Sequence, residues 1–284
     1  MALVTAAAFF MAVLFLLFKV FELRRIPLLP AIVINYYVAC ICGVLVAPPW
    51  QAGDLTPLAL PSAVLGFLFI TIFYLTGLSA QRAGVAATTV ASKMSLVLTV
   101  LFAVYFYGDQ PGVIGWSGIA LALVGVALAS WVRNTGAAKG EWLLPATLFI
   151  GNAVIDITIN WVQRMHLTEA TEAVFPTLLF AVAGSLGTIW LLIKRERGAF
   201  VGPGVWIGGT VLGIMNYAAL YFVVQALSHS NMPSSSVYPL VNIVVILFGT
   251  AASIALFKER PRAVQYVGIA CAVLALVLIL NVRP

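Results

Sequence analysis

A chain of 284 residues that is 63% apolar and only 8% charged, with a mean hydropathy of +1.09, has too little polar surface to coat a water-soluble globule, and that class is excluded. Its net charge of +6 and isoelectric point near 9.4 come from basic residues scattered through short segments between apolar runs, so no nucleic acid is expected as a partner. The runs are mostly 18 to 24 residues long, which matches a hydrocarbon core of about 30 Å spanned by α-helices and excludes a β-barrel.

Ten helices follow in chain order. The first, 2–21, has no basic stretch and no A-x-A site ahead of Lys19, so it reads as a retained span. Residues 24–27 separate it from 27–47, which holds Cys40 and Cys42; with Cys271 near the other end, these thiols lie in apolar runs and are expected to form no disulfide and no metal site. The stretch 48–61 leads to a third helix at 62–80, and 81–84 to a fourth at 85–107. Residues 108–112 open 112–132, and 133–141 precede a sixth helix at 142–162. Beyond 163–172 come 173–193, then 204–226 after 194–203, 233–256 after 228–233, and 262–281 after 258–262.

Within the eighth helix, Gly204/Gly208 and Gly209/Gly213 are small-xxx-small pairs that predict close helix packing. The ninth begins Asn231-Met-Pro-Ser-Ser-Ser236 and contains Pro239, which predicts a local break or kink. Trp50, Trp116, Trp131, Trp142, Trp161 and Trp206 fall near span ends, the level of an interfacial aromatic belt. When connections alternate sides, twelve basic residues, Arg24, Arg25 and Lys194 among them, share one side, and Arg164 and Arg283 take the other. Basic loops stay cytoplasmic, so both termini are expected to face outward.

The sequence repeats with a shift of 149 that becomes 150 after one inserted residue: Leu78-Ser79 matches Leu227-Ser228, Asp109 matches Glu259, Pro111 matches Pro261 and Gly118 matches Gly268. The halves are 1–136 and 137–284, with five helices each. An odd number of spans inverts the second copy, so the expected architecture is an all-α polytopic membrane protein of two inverted five-helix repeats about an in-plane axis.

The residues Tyr107-Gly-Asp-Gln-Pro111, Gly115-Trp-Ser-Gly118 and Leu121-Ala-Leu-Val-Gly125 echo in the second half as Phe257-Lys-Glu-Arg-Pro261 and Gly268-Ile-Ala-Cys-Ala-Val-Leu-Ala275. In this pattern the chain resembles the drug/metabolite transporter superfamily, specifically its ten-helix members with paired EamA-type repeats. Asp109 stands where that family commonly has Glu. The resemblance implies a cavity lined mainly by helices 1, 3, 4, 6, 8 and 9, a place in the bacterial inner (cell) membrane, and export or exchange of small metabolites.

Of 15 basic and nine acidic residues, only Lys93 and Asp156 resist placement in loops or at helix ends. Each carries an intramembrane penalty of at least about 2.5 kcal/mol, which implies a partner or water. Asn152, Asp156 and Asn160 recur every fourth residue, one polar stripe along the sixth helix. Tyr217, Tyr221 and Gln225 repeat that spacing in the eighth, with Asn216 beside them, and Tyr238 and Asn242 in the ninth. Asn242 occupies the repeat position of Lys93.

No H-E-x-x-H, G-x-S-x-G, Walker loop or Cys/His cluster is present, so no enzymatic activity, cofactor or metal is expected. The expected function is secondary transport at a midplane site. Lys93 would receive an anionic group, Asp156 an ammonium group or a coupling proton, and Tyr217, Tyr221 and Tyr238 would supply aromatic walls; together these favour amino acids or related zwitterions. Two alternatives stay open: a carrier of sugar phosphates, nucleotide sugars or lipid-linked intermediates with Lys93 as sole anchor, and a non-transporting scaffold or receptor.

Overall fold

A computed structural model describes residues 2–107, 112–129, 143–194, 200, 202–229 and 234–280, without the side chains of 103, 104, 160, 163, 164, 169, 170, 227–229, 234–236 and 280. The expectations for Asp109, Pro111, Trp131, Trp142, Arg283 and the stretches 133–141 and 231–233 lie outside the described residues. Among the described residues the chain is helical, with no strand: α1 (Ala2–Leu23), α2 (Leu28–Val46), α3 (Ala59–Arg82), α4 (Val85–Met94), α5 (Leu96–Tyr107), α6 (Gly112–Ala129), α7 (Leu143–Met165), α8 (Glu169–Glu172), α9 (Phe175–Lys194), α10 (Pro203–His229), α11 (Ser234–Phe257) and α12 (Ala263–Leu280). Among the described residues, eight stretches are long and apolar enough to span a membrane; the apolar parts of α7 and α12 are shorter, 143–159 and 263–279. This is an integral, multi-pass membrane fold.

Two features depart from the expected helices. The fourth is split at Ser95, whose Oγ donates to the Ser92 carbonyl at 2.8 Å while its own carbonyl takes Leu98 N–H three residues on, at 2.9 Å. A serine hydroxyl that competes for backbone acceptors loosens a helix at that turn. The ninth, by contrast, runs through Pro239 as the single helix α11, so of the break or kink expected there the break is corrected. Pro239 lies in the second turn, where the missing N–H removes a single bond near the helix start and the rest of the ladder carries on.

The described residues divide into two compact units, each drawn from both sequence halves. One comprises residues 1–19, 76–154 and 218–284, the other 20–75 and 155–217.

In the first unit, α4 borders two apolar clusters. Val4, Ala8, Ala12 and Phe15 line one face of α1 at helical spacing and pack with Val85, Val223, Ala226, Val237, Val241 and Val245. Ala86, Val90 and Met94, on another face of α4, meet Ile119, Ala122, Ile246, Ile269, Ala272 and Leu276. Lipid tails are as apolar as these side chains, so close packing rather than the hydrophobic effect must hold the helices together. The α6–α12 seam shows how: a side-chain carbon at Gly125 would lie 2.8 Å from the Ala272 nitrogen, and one at Gly268 would lie 2.8 Å from the Gly125 carbonyl oxygen. The helices run antiparallel there, since Gly118 meets Leu278 and Ile279 while Gly125 meets Ala272 and Gly268.

In the second unit, Gly209 and Gly213 let α10 approach the α2 backbone, where added carbons would fall 2.8 Å from the Ala31 oxygen and 2.7 Å from the Asn35 oxygen. The Gly209/Gly213 pair thus does what its spacing predicts, whereas a side-chain carbon at Gly204 would come no closer than 3.7 Å to Ile26. Gly184 and Gly187 bring α9 against Tyr36, Tyr37 and Val33 in the same way. Tyr36 is fully buried, and its hydroxyl donates to the Phe69 carbonyl at 2.9 Å.

Candidate functional site

The first unit gathers the main elements around α4. Gly84, at φ +92°, turns the chain into that helix, and the Glu259 carboxylate accepts the Val85 N–H at 3.1 Å. An acidic group at a helix start satisfies an orphan donor and suits the positive end of the dipole. Thr88 reinforces the turn by donating to the Gly84 carbonyl at 2.8 Å.

Lys93 lies at the other end, in the last turn of α4 and half-buried, where the negative end of the helix dipole favours a cation by about 0.3–1 kcal/mol. Its Nζ donates to Met11 Sδ at 3.4 Å, and its carbonyl accepts the Asn242 amide at 3.3 Å. The structure therefore brings Lys93 and Asn242 together, through the backbone of one and the side chain of the other. Next to Lys93, the hydroxyl of Ser92 is buried with no hydrogen-bond partner among the described residues, and an orphan of that kind costs roughly 1–3 kcal/mol. A lysine, an amide and an orphan hydroxyl around a split helix are groups suited to a small polar solute.

An aromatic path flanks this turn. Phe10, beside Met11, stacks on Phe222 with centroids 5.3 Å apart and planes 8° from parallel, and Tyr221 meets Phe222 edge-on at 5.6 Å. Tyr221 and Tyr238 are 39% and 42% exposed, so both turn away from the packed core. Asn152 is half-buried, but its amide donates to the Leu148 carbonyl of its own helix at 2.8 Å, which uses that group locally.

The other expected residues, Asp156, Asn160 and Tyr217, fall in the second unit. Asp156 and Tyr217 are half-buried, and the Asn160 side chain lies outside the described residues. Beside Tyr217, the Asn216 amide donates to the Oδ1 of fully buried Asn35 at 3.2 Å. Sequence reasoning missed Asn35, Met11 and the Ser92–Ser95 turn. A lone Asn in the apolar run of α2 was the available signal for the first; a methionine in an apolar helix gives none.

Lys19 in α1 donates to the Gln81 carbonyl at 3.4 Å, while Gln81 donates to the Phe18 carbonyl at 3.2 Å. These bonds tie the end of α3 to α1.

A family model described as the EamA-like transporter family matches residues 1–131. An uncharacterized protein of Haemophilus influenzae is 26% identical over 266 residues, covering 89% of this chain and 88% of its own length. A solved crystal structure, 18% identical, aligns with a TM-score of 0.60 over 99% of both chains, a likeness of fold.

Proposed function

We propose that the chain, whose residues 1–131 match the EamA-like transporter family, is a membrane permease, and specifically a secondary transporter of small zwitterionic metabolites such as amino acids. The observation that carries this reading is the half-buried ammonium of Lys93 in the last turn of α4, immediately before the break at Ser95. Lys93 takes the solute's carboxylate, and Asn242, its partner in the repeat, offers an amide at the same turn. Asp156 is proposed to answer the ammonium group or to carry a coupling proton. Asn152, Asn160, Tyr217, Tyr221 and Tyr238 complete the proposed set, with the tyrosines as aromatic walls. Inverted five-helix repeats are part of the proposal, and the antiparallel contact of repeat-related Gly118 and Gly268 helices supports them.

A carrier of sugar phosphates or nucleotide sugars would need further cations beside Lys93. Lys19 is engaged at the Gln81 carbonyl, which favours a singly charged carboxylate. The test is exchange in proteoliposomes against a panel of amino acids, organic acids and sugar phosphates. Zwitterion exchange is the expected result, and exchange confined to phosphorylated solutes would overturn it.

A further inference from the structure

The second unit carries a groove of about 380 Å³ between α2, α9 and α10, lined by Val33, Tyr37, Ile41, Thr188, Trp206 and Thr210 among others, mostly through carbon. Its polar groups are largely spoken for. The Tyr37 and Thr188 hydroxyls pair at 2.9 Å, Thr188 also donates to the Gly184 carbonyl at 2.9 Å, and the Trp206 indole N–H donates to the Phe200 carbonyl at 3.1 Å. A groove whose polar atoms are paired internally offers apolar contact and little else. All three walls belong to spanning helices, and Tyr37, Ile41 and Trp206 are 41%, 59% and 55% exposed, so the groove opens onto hydrocarbon.

Its reach fits half a bilayer. From Val33 to Ile41 the wall rises about 12 Å at 1.5 Å per residue, against roughly 15 Å for one leaflet's hydrocarbon. Trp206, three residues after α10 begins, marks the interfacial end.

Cations stand at that end. Arg24 and Arg25 are exposed in the turn between α1 and α2, and the next residue, Ile26, packs where side-chain carbons at Gly204 and Gly208, on either side of Trp206, would lie 3.7 and 3.4 Å from it. The turn is fixed by the Ile26 N–H bond to the Phe21 carbonyl at 2.8 Å, and it holds Arg25 at φ +54°. Helices usually place glycine in that conformation, and a larger residue there costs about 1–2 kcal/mol.

We propose that this groove is a specific phospholipid site: one acyl chain lies along Val33, Tyr37 and Ile41, and an anionic headgroup rests on Arg24 and Arg25. The site is independent of the transport reading and can be read without any transport assay.

The experiment is native mass spectrometry of the purified full chain, partly delipidated and then offered equal amounts of phosphatidylglycerol and phosphatidylcholine. One phosphatidylglycerol per chain, retained at least tenfold over phosphatidylcholine, is expected. Arg24→Gln combined with Arg25→Gln should erase the preference. Thr210→Trp, which fills the groove, should remove the bound lipid altogether, and Ile41→Trp at the rim serves the same purpose should Thr210→Trp not fold. Equal retention of both lipids, indifferent to every variant, would reduce the site to ordinary annular lipid and overturn the proposal. A dimer that dissociates when the groove is filled would overturn it too, because a second copy would then be the occupant.

Discussion

The side-chain amide of Asn242 donates to the main-chain carbonyl of Lys93 at 3.3 Å, and the two residues stand 149 positions apart, the shift at which the two halves of the sequence repeat. Positions matched by the sequence repeat thus meet at one turn, with the α4–α5 break just after it. A lysine carbonyl held by its repeat partner fixes the turn that carries the ammonium.

Lys93→Ala should lower transport at least about tenfold, equivalent to about 1.4 kcal/mol of transition-state stabilisation, and leave the protein folded in the membrane. Initial rates in proteoliposomes, with size-exclusion profiles as the control for folding, measure this. Unchanged rates would remove Lys93 from the mechanism.

Asn242→Ala leaves the Lys93 carbonyl without that donor. Interhelical hydrogen bonds in membranes average about 0.6 kcal/mol, so a small drop in thermal stability is expected together with a larger loss of transport. A loss of stability alone, with rates intact, would mark the bond as purely structural.

Glu259→Ala removes the acceptor for the Val85 N–H at the start of α4. Loss of a cap costs about 0.5–2 kcal/mol, and Glu259→Gln should recover most of it, because the amide oxygen still accepts. Thermal unfolding in detergent distinguishes the two variants; equal damage from both would mean that the charge and not the bond is what matters.

Gly268→Leu should be the most damaging of these changes, since its first side-chain carbon would lie 2.8 Å from the Gly125 carbonyl and closer still to the Ala129 nitrogen. Overpacking of this kind costs about 1–3 kcal/mol, more where only backbone could yield. The yield of monodisperse protein is the readout, and Gly53→Ala, with open space around it but a positive φ, should be milder.

Outside the spans, Asp54 gives a pH effect. Its carboxylate accepts from the Thr56 side chain and from the Thr56 N–H at 2.9 Å, which hold its pKa below the ordinary 3.8. The folded value is depressed, so the contribution to stability is present above 3.8 and fades as pH falls through the lower, folded value. Wild type and Asp54→Asn should therefore differ in melting temperature near neutral pH and converge in strong acid; a difference that persists there would contradict the assignment.

Much of the fold was legible because lipid imposes one rule on every span: about twenty apolar residues with all backbone groups bonded internally. That rule placed the helices within a few residues. The glycines of α10 were legible too, because close packing in lipid needs small residues. The break at Ser95 was not, since a serine in an apolar run looks the same whether it bonds back to its own helix or splits it. Pro239 misled for the opposite reason: in the second turn of α11 it removes one backbone bond, and the helix continues around it. The pairing of Asn35 with Asn216 depends on α2 meeting α10 far along the chain, and no local spacing records such a meeting. Lys93 was visible as a charge where none is cheap; its contact with Met11 was not.

The glycine seam also has a bearing on how the chain is made. The ribosome completes α6 at Ala129 but reaches α12 only at Ala263. Until then the smooth side of α6, with Gly118 and Gly125 exposed, has nothing but lipid or a chaperone to lie against. Closure of the first unit therefore waits for the last helix to be inserted, and a transcript cut short before that point would leave a half-built bundle for the membrane's proteases to clear.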